Sequence, residues 1–193
     1  YLLFLTATEA VMAFDNPAVH RKGKENRDPR ENSDFEATQK KGRPPRAVVR
    51  MKLEGANPAP QIEGLDQLPA TSNYFAGSDP AAWRTGIPNF ARVRYAQVYP
   101  GIDMIYYGEQ RRLEYDFIVA PETNPEQIEI GFEGIQNFEI SRTGDLLLQN
   151  ELAPIRLSKP EAYQEIDGVK AEVEISYVAK DLHSMGFQLG AYD

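Results

Sequence analysis

Alternation of apolar and polar residues along short segments is the feature that most constrains the fold of this 193-residue chain. Strict alternation is typical of antiparallel β-strands that bury one face. Gly, Pro, Asn and Asp separate the alternating segments, and we count roughly ten to twelve strands on this basis. The clearest of these segments are AVVRMKLEG (47–55), FARVRYAQV (90–98), RLEYDFIV (112–119), QIEIGFEG (127–134) and AEVEISYV (171–178).

Helical signals are few. Asp79 before Pro80 and Asn124 before Pro125 each predict one short helical turn, because the first residue can cap and proline fits the first helical position. The Pro- and Asn-rich residues 56–76 predict irregular extended chain between sheets. The sequence therefore predicts an all-β fold: an antiparallel β-sandwich or two packed sheets, with one or two short helical turns and a long charged loop.

We interpret residues 1–193 as a single β-rich domain, with two β subdomains, 1–100 and 101–193, as the alternative. Residues 20–50 contain ten Lys or Arg and five Asp or Glu, and they lack apolar periodicity. A mobile basic loop is therefore predicted at about 20–46. A basic tether for acidic polysaccharide or nucleic acid is the alternative. The interspersed acids and the scarcity of stacking aromatics argue against nucleic acid as a partner.

Composition excludes several kinds of chemistry. The chain has no cysteine, so disulfides, thiolate metal sites and a cysteine nucleophile are excluded. No apolar run approaches the roughly 20 residues of a membrane span, so membrane insertion is not expected. The two histidines, His20 and His183, stand apart and do not predict a zinc site. The apolar start YLLFLTA is interpreted as a strand entered partway, in a cut or processed piece of a longer chain.

Glu114 and Asp116 are the strongest candidates for catalysis. They lie two residues apart on one predicted strand, on the same face, with about 7 Å between their Cβ atoms. This separation suits the two carboxyl groups of a glycoside hydrolase. Such pairs usually face each other across a cleft, and here Arg92 and Arg94 offer cross-strand ion pairs on a solvated face. We therefore favour a polar strand face and keep hydrolysis as an alternative.

Two further kinds of site are considered. Loop carboxylates can hold structural calcium, although none here falls in an EF-hand pattern and turn formation is the simpler role. The calcium candidates are Asp79, Asp103, Asp145 and Asp167. Exposed aromatic residues could form a sugar-binding platform, although packing in the core or at an edge is the favoured role. The main aromatic candidates are Trp83, Tyr106 and Tyr107.

Several longer motifs resemble one protein family. They are SNYFAGSDPAAWRTGIPNFARVRY (72–95), VYPGIDMIYYGEQRRLEYDFIVAP (98–121) and AYQEIDGVKAEVEISYV (162–178) leading to GFQLGAYD (186–193). In their order and spacing they resemble the N-terminal domain of unknown function of bacterial SBBP-repeat (β-propeller repeat) proteins. The resemblance covers the chain except residues 20–46. It implies a secreted or cell-surface bacterial protein and no catalytic residues or cofactor.

We therefore expect a non-catalytic extracellular module with a structural, assembly or protein-interaction role. Its partners would be β-domains of the same or neighbouring chains, in a homo-oligomer or filament formed by strand sharing. The interface candidates are Tyr1, Leu3 and Leu5 in the first strand. The alternatives are a carbohydrate-binding module that takes a glycan at the aromatic residues and a hydrolase that uses Glu114 and Asp116.

Overall fold

The computed structural model describes residues 1–15, 46–109 and 112–192. Within these residues the protein is all-β and consists of fifteen strands and two single-turn 3-10 helices. The fold-class prediction is confirmed. The predicted mobile loop at 20–46 lies almost entirely outside the described residues. The chain divides into two compact units, residues 1–52 with 129–193 and residues 53–128. This division does not follow the predicted boundary at residue 100, because the second unit is inserted into the first.

Eleven of the described strands belong to the first unit. They are β1 (Leu2–Leu5), β2 (Glu9–Asp15), β3 (Arg46–Leu53), β8 (Glu129–Glu133), β9 (Asn137–Ile140), β10 (Leu146–Gln149), β11 (Ile155–Leu157), β12 (Ala162–Ile166), β13 (Val169–Val173), β14 (Ile175–Ala179) and β15 (Ser184–Leu189). They form a six-stranded sheet in the order β1-β2-β3-β8-β15-β14, a three-stranded sheet in the order β11-β10-β9, and the hairpin β12–β13. The numbers β4 to β7 belong to the inserted unit.

The apolar side of each alternating segment forms the core of the first unit. Val49 and Met51 of β3 are at most 2% exposed, and the residue between them, Arg50, carries a charge. Ile130 of β8 is also fully buried. Leu146 and Leu148 of β10 are fully buried in the same alternating manner. Burial of one face is what fixes the strand register, because a slip of one residue would turn the charged face inward.

The second unit contains one four-stranded sheet with a meander order. Its strands are β4 (Gln61–Tyr74), β5 (Arg84–Tyr99), β6 (Ile102–Glu109) and β7 (Arg112–Val119), with 3-10 turns at Pro80–Ala82 and Pro125–Gln127. On the apolar face Tyr95, Met104 and Phe117 lie side by side on β5, β6 and β7. Tyr95 and Met104 are buried, and Phe117 is half-buried nearer the edge.

Both predicted helical turns are confirmed. The Asp79 carboxylate accepts a hydrogen bond from the Ala81 backbone N–H at 2.9 Å, and the Asn124 side chain accepts one from the Glu126 N–H at 2.9 Å. In each case proline occupies the beginning of the turn. These local caps depend on residues next to one another in sequence, so they were readable before the fold was known.

Two sequence predictions about strands are wrong. Residues 56–76 are not irregular chain, because β4 runs through Gln61–Tyr74 and pairs with β5. The tertiary pairing overrides the unfavourable Pro69, which lies in a stretch where the β4–β5 register shifts. The segment AEVEISYV is not one strand, since it divides at Glu174 into β13 and β14, which belong to different sheets.

The structure predicts that replacing Gly134 with alanine lowers the free energy of unfolding by an unusually large amount. Gly134 has φ +80°, and an added Cβ would lie 1.9 Å from the backbone oxygen of Val48. Gly168 has a similar φ of +77° but nothing within 4 Å of its Cβ position. We expect Gly168→Ala to lower the free energy of unfolding by about 1 kcal/mol through left-handed backbone strain alone. Gly134→Ala should lower the free energy of unfolding by at least about twice as much, because the backbone at Val48 or Gly134 must also move to make room for the new Cβ.

Urea denaturation followed by circular dichroism measures both changes. Equal destabilisation by the two variants would contradict the close approach of Gly134 to Val48.

Candidate functional site

The polar face of the four-stranded sheet carries a cross-strand charge cluster centred on Arg94. Its Nη1 donates to Glu63 Oε1 on β4 at 2.7 Å, and its Nη2 and Nε donate to Asp103 Oδ2 on β6 at 2.6 and 2.9 Å. The register explains this contact, because Glu63 and Arg94 are directly opposed on adjacent strands. A similar pair joins Arg92 Nε to Asp66 Oδ2 at 2.5 Å.

Asp103 is the best-held member of this cluster. Burial alone would raise its pKa, but the Gln97 backbone N–H, which donates at 2.7 Å, and the Arg94 guanidinium lower the pKa below its ordinary value. The side chain is only 14% exposed. The Asp103 carboxylate therefore stays ionised at neutral pH and fastens the turn between β5 and β6, which is a structural task.

Glu114 and Asp116 lie on the same polar face, on the edge strand β7. Asp116 is exposed and accepts a hydrogen bond from the Tyr107 hydroxyl at 3.2 Å. Glu114 is half-buried and stands directly opposite Tyr107 on β6. The placement on one polar face agrees with the favoured interpretation. The arginines, however, bond to Asp66, Glu63 and Asp103 in the described contacts. Hydrolysis by Glu114 and Asp116 stays a prediction.

The aromatic candidates separate into buried and exposed residues. Tyr106 is 6% exposed, and its ring packs edge-on against Tyr95 at 5.5 Å. Burial raises the pKa of its hydroxyl. A sugar platform at Tyr106 requires an exposed ring, so its interpretation as a ligand residue is corrected to a core residue. Tyr107 is half-buried, with its hydroxyl bonded to Asp116.

Trp83 lies at the end of the long β4–β5 hairpin, which we call the arm tip (Tyr74–Arg84). Its indole N–H donates to the Gly77 carbonyl at 3.3 Å, and its ring packs edge-on against Phe75 at 5.2 Å. Trp83, Phe75 and Tyr74 are 38%, 63% and 62% exposed. The arm tip therefore presents three aromatic side chains to solvent, with the tryptophan held in place from within the hairpin.

The first strand, β1, lies at one edge of the six-stranded sheet, and β2 is its partner among the described residues. Leu3 and Leu5 oppose the buried Met12 and Ala10, so they face the core and are half-buried. Tyr1 packs against Phe14 at 5.6 Å between ring centroids. Leu3 and Leu5 therefore point inward at the periphery of the core, whereas Tyr1 is 55% exposed.

The outward side of β1 belongs to residues that the sequence analysis missed. Leu2 and Phe4 are 48% and 55% exposed, and Val48 of β3 lies on the same face at 38%. Because β1 is apolar on both faces, its alternation carries no information about which face is buried. The signal that could have found Leu2 and Phe4 is this two-sided apolar character itself.

The backbone of β1 has a defined outward side. The Thr6 N–H donates to the Glu9 carbonyl at 2.9 Å, so Thr6 and Glu9 form a hydrogen-bonded pair. Hydrogen-bonded and non-hydrogen-bonded pairs alternate along antiparallel strands. Phe4 and Leu2 therefore bond to β2, whereas the N–H and C=O groups of Leu3 and Leu5 point away from it, toward the sheet edge.

The outer strands of the two larger sheets differ in how they are protected. At the edges of the four-stranded sheet, β7 carries Arg112, Glu114 and Asp116, and β4 contains Pro69 beside a register shift. Charges, prolines and irregularities of this kind discourage pairing with another strand. At the β14 edge of the six-stranded sheet, the Tyr177 hydroxyl donates to the Ser158 carbonyl at 2.9 Å. Neither β1 (LLFL) nor β14 (ISYVA) has a charge, proline or register shift, and β1 differs from β14 in exposing two large apolar side chains, Leu2 and Phe4.

The four calcium candidates lie at separate places in the fold, and Asp103 belongs to strand β6. Asp79 caps a 3-10 turn, Asp103 belongs to the Arg94 cluster, and Asp167 occupies the β12–β13 turn with φ 51°. The Asp145 carboxylate, in a residue that is 6% exposed, accepts bonds from the Thr143 hydroxyl and the Lys159 N–H and pairs with Arg156. These donors lower its pKa. Within residues 1–15, 46–109 and 112–192, no three acidic or histidine side chains group as metal ligands. Structural calcium stays a prediction.

No helix in the part of the chain that the structure describes is long and apolar enough to cross a membrane. His183 is exposed, and its backbone N–H donates to the Asp181 carboxylate in the β14–β15 turn at 2.6 Å. Its carbonyl accepts a hydrogen bond from the Phe132 N–H at 2.8 Å, so the contacts described for His183 are made by its backbone. His20 lies outside the described residues.

With the fold and its surfaces described, the chain can be placed in a family. The family model described as "Domain of unknown function (DUF7948)" matches residues 1–193, and the chain belongs to this family. No curated protein matches the chain. No solved structure matches it.

The Arg94 cluster predicts a pH-dependent stability difference. Since the folded-state pKa of Asp103 lies below its unfolded value of about 3.9, its ionised form stabilises the fold fully above that value. This stabilisation is lost as pH falls through the lower, folded-state pKa. We expect Asp103→Asn to reduce the free energy of unfolding by about 1.5 kcal/mol at pH 7, with a smaller deficit below pH ~3.

Urea titrations at several pH values test this expectation. Asp66→Asn is the matched control, because its exposed pair with Arg92 should contribute little. A deficit for Asp103→Asn that is independent of pH would contradict the role of the charge.

Proposed function

We propose that this domain is a non-catalytic module of a secreted or cell-surface bacterial protein, and that it acts in assembly or protein interaction by strand addition at the β1 edge. The observation that carries the proposal is the contrast between β1 and the protected edges β4 and β7. An apolar edge strand with outward-directed backbone groups is a template for another strand. The outward groups here are those of Leu3 and Leu5.

The exposed side chains of β1 add to this support. Pairing with a further strand would cover Leu2 and Phe4 as well as the outward backbone groups. Burial of apolar area contributes roughly 25 cal/mol per Å², and the backbone bonds supply alignment. The overall charge of −8 opposes association of copies at low ionic strength, and salt screens that repulsion. Association at an uncharged strand should therefore survive or strengthen as salt is added.

The extracellular location and the position in the protein rest on the motif resemblance. SBBP-repeat proteins place such a domain ahead of β-propeller repeats, so β-domains of the same chain are candidate partners beside a second copy. A module of this kind needs no catalytic residue or cofactor, which fits the local structural tasks found for Asp103 and Asp145.

A proline at Leu3 tests the proposal. Leu3→Pro removes one outward N–H, while the bonds between β1 and β2 remain because Leu3 does not use its N–H toward β2. We expect the wild-type mass to rise with concentration in light scattering and the variant to remain monomeric. Leu3→Ala is the control, since it shortens the side chain but keeps the N–H group.

Circular dichroism checks that each variant is folded. A wild-type protein that stays monomeric at all concentrations would contradict self-association. Equal association of Leu3→Pro and wild type would contradict the β1 edge as the contact.

A carbohydrate-binding role is the second candidate, and the arm tip favours it. Exposed aromatic rings stack on sugar faces, and Trp83 is fixed by its hydrogen bond to Gly77 and by Phe75. On this hypothesis Trp83→Ala should abolish retention of the protein on a glycan array. Tyr163→Ala, which removes an aromatic residue that is 61% exposed on β12, should leave retention unchanged. Absence of any wild-type binding to the glycans would contradict this candidate.

A further inference from the structure

We propose that the strand added to β1 is the β1 strand of a second copy, antiparallel and centred on Phe4, so that two six-stranded sheets become one. This inference rests on the proposed function and specifies the partner and the register. β1 carries no charged side chain, so two copies can lie side by side without like charges opposed. The nearest charged neighbours on the outward face, Glu9 and Arg50, neutralise each other in an ion pair of 2.6 Å.

Symmetry restricts the register. A two-fold axis normal to the sheet relates two antiparallel edge strands and keeps each face of the sheet on its own side. Directly opposed residues in a sheet have side chains on the same face. Leu2 and Phe4 can therefore oppose only each other or themselves, and the same holds for the core-facing Leu3 and Leu5. The axis must then pass between two copies of the same residue, and only axes at Leu3 or Phe4 let most of β1 (Leu2–Leu5) pair with its mate.

The outward backbone groups favour Phe4. With the axis at Phe4, Leu3 of each copy opposes Leu5 of the other, and both residues direct their N–H and C=O groups across the contact. With the axis at Leu3, Leu5 falls opposite Tyr1, which precedes β1. Only the Phe4 register joins all the outward groups of β1 to one another.

The same register gives the exposed phenylalanine a partner. Phe4 would face its symmetry mate in a non-hydrogen-bonded pair, where Cα atoms are about 4.5 Å apart. Aromatic cross-strand pairs at such positions are favourable. Phe4 is 55% exposed in a single copy, so pairing would cover an apolar ring that the fold itself leaves in solvent.

Single cysteines test the register, because the natural chain has none. Disulfides need Cα atoms within about 4.4–6.8 Å. Phe4→Cys lies beside the axis, directly opposite its own copy, and should give a covalent dimer on mild oxidation of the full chain. Leu2→Cys is the matched control, since it is similarly exposed on the same face but would lie roughly 14 Å from its mate. Ser176→Cys, exposed on β14, reports pairing at the other edge.

Each cysteine variant is first purified as folded protein by size-exclusion chromatography. Non-reducing gels then show whether it has formed a covalent dimer. Cross-linking of Phe4→Cys, and not of Leu2→Cys or Ser176→Cys, would support the inference. Cross-linking of Leu3→Cys to itself would overturn the Phe4 register. A mixed disulfide between Leu3→Cys and Ser176→Cys would overturn the symmetric pair in favour of a head-to-tail array. If Leu3→Pro still associates and no cysteine variant forms a cross-link, the β1 edge is not the contact between copies. A wild-type protein that stays monomeric would overturn the proposed self-association itself.

Discussion

The pairing of β3 with β8 is the contact on which the first unit depends. β3 ends the N-terminal part of that unit, and β8 begins the part that follows the inserted sheet, so this one pairing joins segments separated by more than seventy residues of chain. Val49, Met51 and Ile130 lie in the core on either side of it. The close approach of Gly134 to the Val48 carbonyl excludes any side chain there. Pairing over such a sequence distance costs loop-closure entropy, which burial of these strands must offset.

A second constraint is that the outer strands of a sheet must be protected from pairing with other strands. The inserted sheet has charges along β7 and an irregular, proline-containing β4, and its polar face is bound together by Arg94 with Glu63 and Asp103. These devices make the sheet complete without another strand. In the six-stranded sheet β1 lacks them and leaves Leu2 and Phe4 in solvent. The same chain thus contains the protected edges β4 and β7 and an apolar edge, β1, with exposed side chains, and this difference is the physical basis for proposing an assembly role.

The aromatic residues illustrate why a site could not be read from composition. Tyr106 and Tyr107 are neighbours in sequence, but alternation sends Tyr106 into the core and Tyr107 to the polar face beside Asp116. Trp83 stands in solvent because β4 and β5 extend beyond the third strand of their sheet. The length of β4 could not be predicted, since Pro69 and the turn-forming residues around it argue locally against a strand, and only pairing with β5 outweighs them.

The sequence by itself determined what depends on neighbouring residues. The all-β class follows from period-two alternation, and the turns at Asp79 and Asn124 follow from adjacent caps and prolines. Tertiary structure alone decided which strands became edges, where AEVEISYV divides between two sheets, and that residues 53–128 form an inserted unit. The physical reason is that alternation specifies a strand and its buried face, whereas the neighbour of a strand is chosen by packing between residues far apart in the chain. In β1 both faces are apolar, so even its orientation required the fold.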